Sequence, residues 1–328
     1  MRRSRLITIM LAGLMALSLV SGCAQSAGGG TDTTSAEITV AVPETTAAQT
    51  SSAITVTDMM DREITLDAPA ERIVALTASD CEILYALGAG DTLVGRGEYC
   101  DYPEEVNNIP SVQSGSDTNV EQIIALKPQV VIMNIMNQTV EQTEALESAG
   151  IKVVSNNAAD IEGVYTSISL IGAVTGKNEE AANVIDQMKT AFADISSKST
   201  GTGDKTVYFE VSPLEYGLWT AGSGTFMDEI AAMLGLKNAF ADVEGWAEVS
   251  QEQVIERDPD YIVTITMYYG EGATPVDEIL GRDGWQDMKA IKNKAVFNAD
   301  SNEISRPGPR LTNAVEALYS FVYGTKAA

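Results

Sequence analysis

The stretch Glu121-Gln-Ile-Ile-Ala-Leu-Lys-Pro128-Gln-Val-Val-Ile132 returns later in the chain as Glu252-Gln-Val-Ile-Glu-Arg-Asp-Pro259-Asp-Tyr-Ile-Val263. The copies share Glu-Gln-aliphatic-Ile, a Pro seven residues after the Glu, and then a short β-branched run. Each reads as a helix that stops and feeds a buried strand. Asn119 and Ser250 stand at the N-cap position, and Gln122 and Gln253 fall at the third helical position of a capping box. Pro128 and Pro259 forbid the helix from continuing, and Val130-Val-Ile and Tyr261-Ile-Val supply the strands. A solenoid needs several copies at short period. Two copies at wide spacing instead predict two similar lobes.

The chain around the repeats fits that reading. Ile54-Thr-Val-Thr and Glu63-Ile-Thr-Leu66 alternate around Met59-Met-Asp-Arg as a small leading hairpin. From Arg72 strands alternate with helices: strand Ile73-Val-Ala-Leu76, a helix opened by a capping box at Ser79-x-x-Glu82 and running to Leu87, strand Leu93-Val-Gly, the first repeat, a helix from Glu141 to Ser148, and strand Lys152-Val-Val154. Between 177 and 198, Val184, Ile185, Met188, Phe192 and Ile195 recur at helical spacing, predicting the longest helix, about 30 Å from end to end. Alternation then restarts with strand Thr206–Val211, helix Thr225–Leu234, the second repeat, strand Ala295–Asn298 and a closing helix Leu311–Tyr323. This order predicts an α/β protein: two Rossmann-like lobes with parallel sheets, joined by one long connecting helix. The expected divisions are a leader at 1–22, a tether at 23–53, an N-terminal lobe at 54–176, the connecting helix at 177–200 and a C-terminal lobe at 201–328.

The leader has its own logic. Arg2, Arg3 and Arg5 precede an apolar run from Leu6 to Val20 that is shorter than the roughly 20 residues of a membrane span. Val20-Ser-Gly-Cys23 follows and resembles a lipobox, in which the Cys thiol takes a diacylglycerol and the leader is cut before it. An ordinary secretory leader with an incidental Cys is the alternative. Residues 24–52 are rich in Ser, Thr, Ala and Gly, as a flexible tether is. Lipid anchoring on the extracytoplasmic face of a cell membrane is therefore expected. Loss of the leader lowers the basic count from 21 to 18 against 46 acids, a net charge of −28. That field argues against nucleic acid as a partner.

Histidine is absent, which excludes Ser-His-Asp and Cys-His catalysis and His-ligated zinc or haem. No Walker motif, nucleophile elbow or metal-spaced Cys cluster occurs. Neither catalytic residues nor a resident metal or cofactor are expected. With Cys23 lipidated, Cys81 and Cys100 remain as a candidate disulfide or as two quiet thiols. In open parallel sheets ligands bind beyond the carboxyl ends of the strands, so the default site is a cleft between the lobes. The loops there hold Tyr99, Trp219, Trp246, Tyr268, Tyr269 and Arg306, candidate ligand contacts by their aromatic faces and charge. Glu121 and Glu252 read either as acids placed against a helix dipole or as matched carboxylates shown to a partner.

Several stretches resemble the substrate-binding lipoproteins of bacterial importers for ferric siderophores, haem and cobalamin: Arg72-Ile-Val-Ala-Leu, Glu82-Ile-Leu-Tyr-Ala-Leu-Gly-Ala-Gly-Asp, Val94-Gly-Arg, Tyr99-Cys-Asp-Tyr-Pro103, the two repeats, and Ile304-Ser-Arg-Pro-Gly-Pro-Arg310. They run from Arg72 towards the C-terminus. The resemblance implies a class III periplasmic-binding architecture and a monomeric receptor, not an enzyme. Such a receptor delivers an iron complex, or alternatively a corrinoid, to an ABC permease with its ATPase. It also implies permease docking through Glu121 and Glu252, and places Trp246 where cobalamin-binding relatives set an aromatic against the ligand. The cobalamin binders' further Trp is replaced here by Ser114-Gly-Ser-Asp117. An exported carboxylate-based hydrolase, or a sensor or adhesion module on the same scaffold, are the other classes.

Overall fold

The computed structural model describes residues 53–134 and 139–324, all within one unit, Thr50–Ala328. The leader, Cys23 and the tether up to residue 52 lie outside the described residues. An antiparallel hairpin of β1 (Ile54–Thr57) and β2 (Glu63–Leu66) comes first. Its turn is tied down by Asp58, whose carboxylate accepts from the Arg62 guanidinium at 2.8 Å and from the Ser155 amide at 3.0 Å.

The first lobe follows as β3 (Ile73–Ala75), α1 (Ala78–Ala86), β4 (Leu93–Gly97), β5 (Ser111–Val112), α2 (Val120–Ala125), β6 (Val130–Met133), α3 (Val140–Ser148), β7 (Lys152–Ser155) and α4 (Ile161–Thr175). Its five strands are all parallel in the order β5-β4-β3-β6-β7. After α4, Gly176 takes a left-handed φ of 73° and ends the helix, as a C-terminal glycine does. Next comes α5 (Asn178–Lys198), the 21-residue helix expected from the apolar stripe. Met188, Phe192 and Ile195 of that stripe are buried, and Val184 and Ile185 are half-buried against the same core. Gly172 of α4 lets α5 approach closely: a Cβ there would stand 2.6 Å from that of Ala181.

The second lobe comprises β8 (Thr206–Ser212), β9 (Trp219–Ala221), α6 (Phe226–Met233), β10 (Lys237–Asn238), β11 (Trp246–Glu248), α7 (Gln251–Arg257), β12 (Tyr261–Thr264), α8 (Pro275–Leu280), α9 (Lys289–Lys292), β13 (Val296–Asn298), α10 (Ser301–Ile304) and α11 (Leu311–Tyr323). The strand order is β11-β9-β8-β12-β13, with β10 also pairing β8. Strands β8, β10, β12 and β13 are parallel, but β9 runs antiparallel to both neighbours. This sheet is therefore mixed, where strand–helix alternation predicted a purely parallel one. Gly217, at φ 88°, permits the tight return from β8 to β9, a turn too short for a helical crossover.

Both repeats fold as helix then strand. Asn119 and Ser250 accept from the amides of Gln122 and Gln253. The second repeat closes a full capping box, whereas Gln122 turns away to accept from the Gln113 amide at 3.3 Å. The residues before the two prolines, Lys127 and Asp258, both take positive φ, 51° and 44°. The capping box expected at Ser79 and Glu82 does not form: Thr77 caps α1 by accepting from the Asp80 amide, and Glu82 is buried one turn on.

One apolar cluster draws on both sheets and on α1, α4, α5, α6 and α11, so the lobes share a core. Two smaller clusters cover the outer sheet faces, one around Val131 and Val153 and the other around Tyr208 and Trp285. Among the described residues no helix is long and apolar enough to cross a membrane.

Candidate ligand-binding site

The parallel registers bring the loops after β3, β4, β5, β6 and β7 to one edge of the first lobe. At that edge lies a buried polar knot. Asp80 accepts from the Asn156 side-chain amide at 2.5 Å and from the Thr77 hydroxyl at 2.6 Å, and Asn156 in turn accepts from Ser167. Burial pushes the Asp80 carboxyl up to about 6, against the pull of those two donors. The knot ties the loops after β3 and β7 to α4. In the loop after β4, Tyr99 is 74% exposed. Cys81 and Cys100 are both buried and unbridged in this structure. The Cys81 thiol donates to the Ala75 carbonyl at 3.8 Å, and the neighbouring Cys100 thiol together with burial pushes it well above its ordinary range.

In the second lobe the carboxyl ends of β8 and β12 open into a cavity of about 610 Å³. Leu214, Glu215, Met267, Tyr268 and Tyr269 line it, with Glu278 on one wall. The Tyr269 ring is 86% exposed, and its hydroxyl reaches the Met267 sulfur at 3.2 Å. Trp219, 40% exposed, begins β9 opposite Ser212, on the same edge of the sheet. Tyr268, Tyr269 and Trp219 therefore share this edge. Trp246 does not: it pairs with Ala221 at the far end of β11, half-buried against Phe226 with ring centroids 5.5 Å apart.

The lobes meet beside these loops. The Phe226 amide donates to the Ala159 carbonyl at 2.9 Å, and the Ile161 amide to Glu229 at 2.6 Å. A second contact is ionic. Glu82 of α1, with a side chain only 2% exposed, accepts from Arg306 at 2.8 Å and from two nitrogens of Arg310 at 2.9 and 2.7 Å. Arg306 also donates to Asp101 at 2.6 Å, and the Arg310 guanidinium lies 4.1 Å over the Tyr102 ring. Burial disfavours the charge on both arginines, yet Asp101 and Glu82 hold them above the ordinary arginine value. Burial likewise opposes the Asp101 charge, but Arg306 pulls its carboxyl below the usual range. The Arg306 guanidinium, expected at the ligand, is thus engaged by two carboxylates. Beside this clamp a second cavity of about 490 Å³ runs between Tyr85, Tyr102 and Glu105 on one lobe and Pro309 and Asn313 on the other.

Sequence reasoning missed Glu82 as the hub of the clamp and missed Glu215, and it passed through Asp101 and Met267 in the candidate loops without assigning them a role. The two arginines spaced by Pro-Gly-Pro were visible in the sequence, but nothing local marked Glu82 as their partner. Glu121 and Glu252 are both exposed near the start of α2 and α7, and neither forms an ion pair among the described residues. One helical turn on, Ile124 and Ile255 are each 37% exposed. Glu and Ile three apart share a helix face, so each lobe shows the same small patch.

Two α/β lobes on one long helix, with ligand loops at the sheet edges, define a class III periplasmic binding protein. The chain belongs to the periplasmic binding protein family, whose match spans residues 73–303. It is 35% identical over 276 residues to the ABC transporter substrate-binding lipoprotein YvrC of Bacillus subtilis, covering 82% of this chain and 85% of that one. It is 30% identical over 253 residues to the vitamin B12-binding protein of Salmonella typhimurium, covering 76% and 89%. Among solved structures, one described as a possible iron-binding (periplasmic solute-binding) protein from Staphylococcus epidermidis superposes with a TM-score of 0.66. It is 30% identical and covers 77% of this chain and 99% of that one. The chain is accordingly a periplasmic binding protein whose relatives include ABC transporter substrate-binding and vitamin B12-binding proteins. Proteins of this kind work with a permease and an ATPase.

Proposed function

We propose that the chain is a lipid-anchored monomeric receptor, held by Cys23 on the extracytoplasmic face of the membrane. It captures an iron complex, a ferric siderophore or haem, in the cleft between the lobes and hands it to its permease without turning it over. Tyr99, Trp219, Tyr268 and Tyr269 offer aromatic faces to the ligand, and Glu121 and Glu252 engage basic residues of the permease. The lipoprotein name of the B. subtilis relative supports the anchor. A corrinoid is the second reading, favoured by the vitamin B12-binding relatives.

The observation that carries the docking reading is the matched pair of patches. Glu121 with Ile124 and Glu252 with Ile255 repeat the same residues at the same helix position with the same exposure. A helix dipole accounts for the acids alone and gives no reason for equal exposure of the isoleucines. In cells carrying the permease, the double variant Glu121→Lys/Glu252→Lys loses ligand uptake. The purified variant still retains one chromophoric ligand per chain, with tryptophan quenching. Undiminished uptake removes the docking roles. Failure of the unsubstituted chain to retain any ferric siderophore, haemin or cobalamin removes the metal-complex reading.

A further inference from the structure

We infer that the ligand is a metal complex of low net charge, neutral or cationic, and not a polyanionic ferric complex. The inference rests on the receptor reading above and adds the charge of the ligand to it. The described loops at the two sheet edges contain no lysine: 76–80, 98–103, 113–119 and 156–160 in the first lobe, and 213–218, 265–274 and 299–310 in the second. The only arginines on these loops are Arg306 and Arg310, and both are spent on Glu82 and Asp101. A guanidinium already holding a buried carboxylate must leave it uncompensated to reach a ligand anion, which is costly.

One guanidinium remains. Arg96, at the end of β4, forms no ion pair among the described residues; it donates to the carbonyls of Gly97 and Glu98 at 3.2 and 3.4 Å. Its buried Nε has no partner. Arg96 can meet a single negative group. Against it stand Glu98, Asp117, Glu215, Glu248 and Glu271, all exposed at the same edges. A ligand with three negative charges would face a surplus of carboxylates with one free guanidinium to offset them, a repulsion that salt screens because these acids are exposed. Aromatic faces and the Met267 thioether suit an uncharged surface or a cation. Corrinoids and ferric hydroxamates fit this description. Ferric tricatecholates and polycarboxylates do not, and haem, with two propionates, fits poorly.

The test is equilibrium binding by tryptophan quenching at low and at physiological salt. The probes are cyanocobalamin, a cationic ferric trihydroxamate, haemin and a trianionic ferric tricatecholate. The expected result is at least tenfold tighter binding of the cobalamin or the trihydroxamate than of the tricatecholate, with the gap narrowing as salt rises. Glu82→Gln, which removes the buried charge both clamp arginines share and leaves Arg306 only Asp101, is expected to raise tricatecholate affinity tenfold or more relative to the preferred probe. Asp101→Asn, at a more exposed carboxylate, does the same more weakly and serves if the Glu82 variant fails to fold. Equal or tighter tricatecholate binding by the unsubstituted chain overturns the inference and leaves the receptor reading standing. Binding of none of the four probes overturns the receptor reading itself.

Discussion

Arg282 offers the sharpest test of the energetics beneath the second-lobe cavity. Its guanidinium holds the buried Glu210 of β8 in a fork, at 2.8 and 3.2 Å, and Glu278 of α8 at 3.1 and 2.5 Å. The same group lies 4.3 Å over the Trp285 ring. Side-chain exposure is 3% for Arg282 and 1% for Glu210, so water cannot take over for either partner. Burial pushes the Glu210 carboxyl up and only the guanidinium pulls it back. Arg282→Met keeps an unbranched chain over Trp285 but leaves Glu210 as an uncompensated buried charge. Removing one partner of such a pair costs about 3–5 kcal/mol. The variant can relieve part of that by protonating Glu210. The folded-state carboxyl is then raised above its unfolded value, so the penalty is smallest below the ordinary Glu range and grows as pH rises through the raised value. Urea unfolding followed by tryptophan fluorescence at pH 5 and pH 8 reads both effects. A second substitution, Glu210→Met, turns the site into an apolar pair and is expected to bring stability back to within about 1 kcal/mol of the parent. A loss below about 1 kcal/mol in the single variant, or no recovery in the double, refutes this account.

Two further outcomes follow from the first lobe. Asp80 has its carboxyl raised to about 6 by burial, so its contribution to stability is present below about pH 4 and lost as pH rises through 6. Over some two units that amounts to roughly 3 kcal/mol. Asp80→Asn therefore gains on the parent between pH 4 and pH 7 in denaturant melts, and a difference independent of pH would sink the assignment. Gly97→Ala drives a methyl into the Leu76 carbonyl at the cleft edge, with Ser114 Oγ 3.0 Å away. Overpacking of this kind costs about 1–3 kcal/mol, and an unchanged melting temperature counts against it.

The repeats made the architecture legible because each carries its own punctuation. A cap, a proline and a β-branched run act within a dozen residues, and local physics decides them. The stripe of α5 was legible for the same reason. Strand β9 was not: Trp219-Thr-Ala is short, and its direction depends on the turn at Gly217 and on pairing with β8 and β11. Helix α4 was passed over although it is the second longest, because its exposed stripe of Glu162, Thr166 and Ser169 carries a single charge and is a weak polar signal against a mostly buried helix. Tyr268 and Tyr269 were placed at the sheet edge because they follow a strand, and both line the second-lobe cavity. Trp246 was placed in a loop but lies in β11, since Phe226 on α6 gives its ring an apolar neighbour.

What the sequence hides most completely is the pairing of charges. Glu82 and Arg306 stand 224 positions apart, and nothing local distinguishes that carboxylate from the other 45 acidic residues. Yet composition constrains the outcome. With 21 basic residues against 46 acids, cations are the scarce component. Arg62, Arg257, Arg282, Arg306 and Arg310 each bond a carboxylate of the chain itself. Acids must then be left over, and the fold decides where. It buries Glu82 and Glu210 against arginine and leaves Glu121 and Glu252 exposed at matched positions. The same scarcity that leaves the loops at the sheet edges without a free cluster of cations leaves each lobe with an exposed carboxylate to spare. Both features are thus consequences of one imbalance.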